Sequence, residues 1–247
     1  MRILLLWLCS MICAQSFADT DPVMGVYMGA GTFKYDTTGE FSAGGEPVDV
    51  GVDLDLGDEQ KGFFYLDLDH RLPLLPKLRL ETMSVQMNGT SELIRDITID
   101  GTSFIPPSGL RSTFTWDQIS AAFYYRIFDG PAQLDLGLSV RQIEGEITVD
   151  SSISSVALDF DETVPMLYSK FRFQLMNGWW FGAEFHGTSI SSNELIDMNT
   201  KLGWVSDWGI GGEFGYRLMQ LELEDAGDLT GSDLSIEGPY FGLNFQF

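Results

Sequence analysis

Two histidines, His70 and His186, are the only side chains in this sequence that titrate near neutral pH. His186 follows Glu184 by two residues and precedes Thr188 and Ser189. A hydroxyl next to an imidazole, with a carboxylate to orient the ring, is the minimum set for nucleophilic catalysis. Period-two spacing, however, puts Glu184, His186 and Thr188 in a row on one face of an extended segment. A lone histidine hydrogen-bonded to a carboxylate is the plainer reading, and no catalytic residue is assigned. Asp53-x-Asp55-x-Gly57-Asp58 has the look of a calcium loop. It lacks a third ligand before the glycine and a glutamate at its end. It also belongs to a wider acidic stretch with Asp36, Glu40, Glu46, Asp49 and Glu59, so a solvated acidic loop is expected there. No metal or cofactor is expected. No glycine-rich phosphate loop and no metal-spaced His or Cys cluster occurs. Asn88-Gly89-Thr90 is a glycosylation triplet that carries little weight in a bacterial envelope.

A larger constellation appears when charged residues are placed by alternation. Arg71, Arg79, Arg126, Arg141, Lys170, Arg172, Lys201 and Arg217 share the polar faces of alternating segments with Asp67, Asp69, Glu81, Asp135, Glu184, Asp197 and Glu213. The near balance of sign points to mutual pairing, because an unpaired buried charge is costly. Such a set either lines a selective pore or plugs a narrow interior with ion pairs. The plug is favoured here.

The elements that must position these residues are strands. Leu134, Leu136, Leu138 and Val140 oppose Gln133, Asp135, Gly137, Ser139 and Arg141. Leu167, Phe171, Phe173 and Leu175 oppose Tyr168, Lys170, Arg172 and Gln174. Phe64, Leu66 and Leu68 oppose Tyr65, Asp67, Asp69 and Arg71, and Trp179, Phe181, Ala183 and Phe185 oppose Gly182, Glu184 and His186. In a transmembrane barrel the apolar face looks out at lipid and the polar face looks in. The breaks are of two kinds. Short ones fall at 73–76, 129–132, 176–178 and 206–208, and long polar ones near 36–58, 88–112, 150–162, 187–195 and 224–235. Short periplasmic turns alternating with longer acidic external loops is the barrel pattern. Strands are expected near 23–35, 59–72, 77–87, 113–128, 133–149, 163–175, 179–186, 196–205, 209–223 and 236–247. The fold class is therefore all-β, a closed antiparallel transmembrane β-barrel of about ten strands, with eight or twelve as alternatives. Phe128, Trp179, Trp180, Trp204, Trp208 and Phe247 sit at the periplasmic strand ends, where an aromatic girdle would meet the headgroups.

Composition agrees. Of 247 residues, 14 are Lys or Arg and 36 are Asp or Glu, for a formal charge of −22. Nucleic acid is excluded as a partner by that charge, and disorder by the 13% aromatic content. Arg2, the apolar run from Ile3 to Cys13, and the small residues Ser16 and Ala18 form a secretory signal, with cleavage expected after Ala18. The run is too short for the roughly 20 residues of a spanning helix. Cys9 and Cys13 both lie in it, so residues 19–247, a single barrel domain, carry no thiol.

Several stretches resemble a family of small proteobacterial outer-membrane β-barrel proteins of unassigned function. They are the turn from His70 to Pro76 with its two prolines, Val164-Pro165-Met166-Leu167-Tyr168 with Lys170, Arg172 and Phe173, Gly215-Tyr216-Arg217, and Gly238-Pro239-Tyr240. Arg71 stands where the family pattern would have a proline. The terminal run Phe241, Leu243, Phe245 and Phe247 resembles the assembly signal of such barrels, apolar at alternate positions and ending in Phe. The resemblance implies an outer-membrane location, with lipid, lipopolysaccharide and the barrel-assembly machinery as partners. It implies no catalytic residues, and a monomer is expected. Functionally the sequence points to a structural or interaction role, or narrow permeability. A small porin is one alternative, and a hydrolase of lipid A or protein using His186 is another. Thr188 stands where a barrel lipid A deacylase would have serine. The carboxylate arrangement of omptin-type proteases is not discernible.

Overall fold

The computed structural model describes residues 24–57, 59–72, 74–190, 193–224 and 227–247. The expected signal segment, 1–18, lies outside them. Ten long strands form one antiparallel sheet: β1 (Met24–Ser42), β3 (Glu59–His70), β4 (Lys77–Glu92), β7 (Gly109–Phe128), β8 (Ala132–Asp150), β9 (Ser155–Gln174), β10 (Trp179–Ile190), β11 (Asn193–Val205), β12 (Ile210–Leu223) and β13 (Gly231–Gln246). Each pairs with its neighbour in sequence, and β13 returns to β1 with Tyr27 opposite Gln246 and Ser42 opposite Gly231. Closure removes both edges, which hydrocarbon would otherwise leave without hydrogen-bond partners. Short pieces β2 (Val48–Asp49), β5 (Ile97–Ile99) and β6 (Thr102–Phe104) decorate the long-loop end. No helix occurs among the described residues.

The turns at the end carrying both chain ends are tight. Asn177 and Gly178 have φ of 51° and 81°, and Gly209 has φ of 79°. Glycine adopts that left-handed backbone without a Cβ penalty. Several strands run past the predicted bounds on the opposite side. β1 continues to Ser42, β9 begins at Ser155, and β13 begins at Gly231. Two of the expected long links thereby shrink, to residues 151–154 and to two residues between β10 and β11. Among the described residues, the long loops are those after β1 and β4.

The extension has a physical signature. Parity along a strand never changes, yet the chemistry of its two faces trades places. On β8, Leu134, Leu136, Leu138 and Val140 face outward and Asp135, Ser139 and Arg141 inward. Beyond Arg141, Ile143, Ile147 and Val149 face inward, while Glu144 and Glu146 are exposed. The first half suits lipid outside and a polar filling, and the second suits water outside and an oily filling. On β7 the outward apolar stretch from Ile119 to Ile127 covers roughly 26 Å of strand at about 3.3 Å per residue. At a tilt near 40° that is ~20 Å of membrane depth. Exposed Leu72, Leu74 and Leu75 in the first turn lengthen the apolar belt.

The outer half is a solid apolar core. Phe41, Met87, Trp116, Ile147, Leu158 and Leu234 are buried in it. The two long loops fold over its end and add Val50, Leu54, Ile99 and Phe104 to the same cluster. Asp100 N–H donates to Ala43 O at 2.7 Å, tying one loop to the other. The sequence reading assigned the interior to ion pairs alone; the structure gives it a charged inner half and an apolar outer half.

Candidate functional site

The charged half is built from alternate residues of eight strands. Arg79 on β4 donates from Nη1 to Asp67 at 2.8 Å and from Nη2 to Glu184 at 3.0 Å and Glu81 at 3.2 Å. Lys201 Nζ and Asn199 Nδ2 also reach Glu184, at 3.0 and 3.2 Å. Asp197 accepts from Arg141 Nη2 at 2.6 Å and from Arg217 Nε and Nη2 at 2.8 and 2.6 Å. Arg217 Nη2 extends the chain to Glu81. Nearer the short-turn end, Lys170 reaches Asp67 at 3.2 Å and Asp135 at 3.7 Å. Arg126 joins Asp135 at 2.8 Å to Asp69 at 3.1 Å. Tyr65 OH donates to Glu213 at 2.8 Å, and the guanidinium of Arg79 lies 4.2 Å from the Tyr65 ring centroid. Gly29 leaves the space that the Tyr65 ring occupies. Arg141 is 0% exposed. Fully desolvated charges of this kind roughly break even against an apolar filling, but removing one partner is expensive.

Three expected members sit differently. Arg71 lies past the end of β3 in the exposed turn and not in the lumen. β3 ends at His70, one residue before alternation would have turned Arg71 inward. Arg172 does face the interior, but among the described residues no carboxylate lies within ion-pair distance of it. Its guanidinium stacks 4.4 Å from the Trp180 ring and 6.0 Å from that of Tyr27. Trp180 was placed in the headgroup girdle; it points inward and is buried, while Trp179, Trp204 and Trp208 are exposed. Trp179 and Trp180 are adjacent, so alternation allows only one of them to face lipid. One cation was missed. Lys77 opens β4 and meets Asp69 at 2.6 Å.

His186 meets a hydroxyl that the local sequence does not supply. Ser139 on β8 lies 3.0 Å from His186 Nδ1. The imidazole also stacks 4.7 Å from Tyr168, and Asp197 is its partner on β11. Serine, histidine and aspartate thus converge, but Asp197 is already held by two arginines. Ser139 is 1% and His186 3% exposed, so no substrate reaches either. Glu184 is turned to Arg79 and Lys201. Thr188 lies beyond the pair on β10, and no contact joins it to the imidazole. His70 Nε2 is 3.1 Å from Pro76 O and braces the first turn.

In the acidic loop, Asp53 is not open to a cation. Arg95 donates to both its carboxylate oxygens, from Nε at 3.2 Å and from Nη2, and Asp49 N–H donates to Oδ2 at 3.0 Å. The bond to Asp53 raises the pKa of Arg95. No group of side chains fit for a metal ion occurs among the described residues. Acidic residues line up instead across the outer wall. Glu194, Glu222, Asp233 and Glu40 are successive cross-strand partners on β11, β12, β13 and β1. Asp117, Glu144 and Asp161 repeat this on β7, β8 and β9.

At the closure, Phe241, Leu243 and Phe247 are exposed outward and Phe245 is half-buried. Val26 and Phe247 exchange both backbone hydrogen bonds at 2.9 Å.

A closed ten-stranded barrel with an apolar outer belt, short turns beside both termini and an ion-paired interior is an integral outer-membrane β-barrel. No protein-family model and no curated protein matches the sequence. Among solved structures, the chain is similar to the outer membrane protease OmpT from Escherichia coli. The TM-score is 0.56 at 8% identity, over 94% of this chain and 99% of that one. It also aligns with the attachment invasion locus protein Ail of Yersinia pestis (TM-score 0.40, 8% identity, 92% and 100% covered) and with Neisserial surface protein A (0.36, 12%, 92% and 98%). The likeness to OmpT is one of fold.

Proposed function

We propose that this protein is a non-conducting, non-enzymatic outer-membrane barrel, exported through a cleaved leader, with a structural or interaction role at the cell surface. One observation carries the reading: above a mouth at the periplasmic end, the interior is filled through to the outer rim. Ion pairs occupy the membrane half, and an apolar core capped by two inward-folded loops occupies the outer half. A hydrated path would have to breach both. A hydrolase needs a reachable nucleophile or activated water, and the Ser139–His186 pair is sealed. What remains available for contact is the water-facing outer wall with its acidic rows, and the rims of the loops.

The test is conductance of the refolded protein in planar bilayers. The expected result is no steady channel steps. Stable, reproducible unit conductance would overturn the proposal in favour of a small porin.

A further inference from the structure

The charged lumen opens at the periplasmic end, and its cation balance is uneven there. A mouth of about 450 Å³ is bordered by Tyr27, Gln133, Arg172 and Gln246. The same four residues also line a narrower cavity of about 60 Å³ further in, together with Trp180 and Asn244. At roughly 10–15 Å³ of such space for one water, the inner cavity takes about four to six waters, or one group of that size.

Among the described residues, two donors in this cavity are unspent. Arg172 has the ring of Trp180 at 4.4 Å on one side, and no carboxylate of the described residues takes up its N–H groups. Asn244 is 8% exposed, and its buried Nδ2 has no hydrogen-bond partner. A buried donor left unmade is a cost that structures rarely carry. The carboxylates that share the cavity are already taken: Asp67 by Arg79 and Lys170, Asp69 by Lys77 and Arg126, and Glu184 by Arg79 and Lys201. They do not compete for Arg172.

We infer that the periplasmic mouth is a binding site for a small oxyanion, a carboxylate or phosphate group, held by the edge of Arg172 with Asn244 Nδ2 as a second donor. An aromatic-backed guanidinium edge favours such groups because it presents parallel N–H bonds in a fixed plane. The acidic rows lie on the far side of the membrane, so an anion arriving from the periplasm does not cross them. The site needs no through-path and is compatible with a plugged lumen.

The experiment is titration of the refolded full-length barrel in uncharged detergent with inorganic phosphate and, separately, acetate at constant ionic strength. The signal is the Trp180 indole N–H resonance, assigned with W180F. Saturable movement with one anion per barrel is expected, and the tighter anion tells phosphate from carboxylate. R172Q should weaken binding about ten-fold or more, the usual weight of a charge-assisted hydrogen bond. N244D, which adds a negative charge to the cavity, should abolish it, and R111Q on the outer half should leave it unchanged. Heat-modifiable gel migration shows whether each variant is folded. Should R172Q fail to fold, R172K keeps the charge without the fork, and an intermediate loss is expected. The inference fails if neither anion saturates the signal in the wild-type protein, or if the folded Arg172 variant binds as well as wild type.

Discussion

Replacing Asp197 with asparagine is the sharpest probe of the charged layer. Asp197 accepts three short bonds, one from Arg141 and two from Arg217. Without its charge, Arg217 still has Glu81. Arg141 has no such reserve; its remaining partner is Gln118 Oε1 at 3.5 Å, and it is 0% exposed. A buried cation stranded in this way costs about 3–5 kcal/mol, a large share of the roughly 5–15 kcal/mol of a typical domain. Arg172→Gln gives the contrast. It loses stacking on Trp180 but strands no carboxylate, so the cost should be nearer 0.5–2 kcal/mol, roughly the range of a cation–π contact. The assay is urea unfolding in zwitterionic lipid, followed by tryptophan fluorescence and gel migration, with free energies from linear extrapolation. The double variant R141L/D197L, which removes both charges, should recover most of the loss. An unchanged midpoint for D197N, or a double variant no better than the single, would mean that water reaches Arg141 and the layer is not sealed.

Two further outcomes are expected. Glu222 lies between Glu194 and Asp233 on the outer wall, and like charges directly opposite one another are destabilising by about 0.2–1 kcal/mol per pair; Glu222→Lys should therefore raise thermal stability, with a gain that shrinks in high salt, as melting curves at two ionic strengths would show. Deleting Phe247 should lower the folded fraction in cells more than it slows folding into detergent, measured by heat-modifiable migration, because its exposed ring packs little while its backbone pair with Val26 helps close the barrel; equal losses in both settings would leave it a packing role only.

Which way a side chain faces was legible wherever strict alternation ran through ordinary lipid-facing residues. Leu134 to Val140 and Phe171 to Leu175 fix the inward set on β8 and β9 without help from structure. The outer extensions of β1, β9 and β13 were not read, although Val156, Leu158 and Phe160 on β9 alternate as cleanly. Their opposite face is Ser155, Ala157, Asp159 and Asp161, and aspartate is depleted in strands and common in loops. In water an acidic outward face is simply the solvated side. The Ser139–His186 contact was out of reach for a different reason. The two residues sit on β8 and β10 with β9 between, and their closeness depends on the stagger of two successive ladders. Alternation gives the face and says nothing about height. Trp180 was misplaced because its neighbour Trp179 satisfied the girdle pattern for both.

The exchange of faces along the long strands also works as a waterline. Sinking the barrel toward the periplasm by one two-residue step would carry Glu144, Asp161 and Glu237 toward the acyl chains. Lifting it would draw the lipid-facing Leu138, Leu167 and Phe214 into water. The longer strands penalise both displacements, and they penalise them together. The depth of the barrel is thus held from the outer leaflet, where the charged rim is continuous across neighbouring strands. The periplasmic side, rimmed by Trp179, Trp204, Trp208 and the leucines of the first turn, can follow a thinner or thicker bilayer, because such rings tolerate either environment. Changes in lipid length should then be taken up on the periplasmic face, leaving the height of the capped end above the surface unchanged.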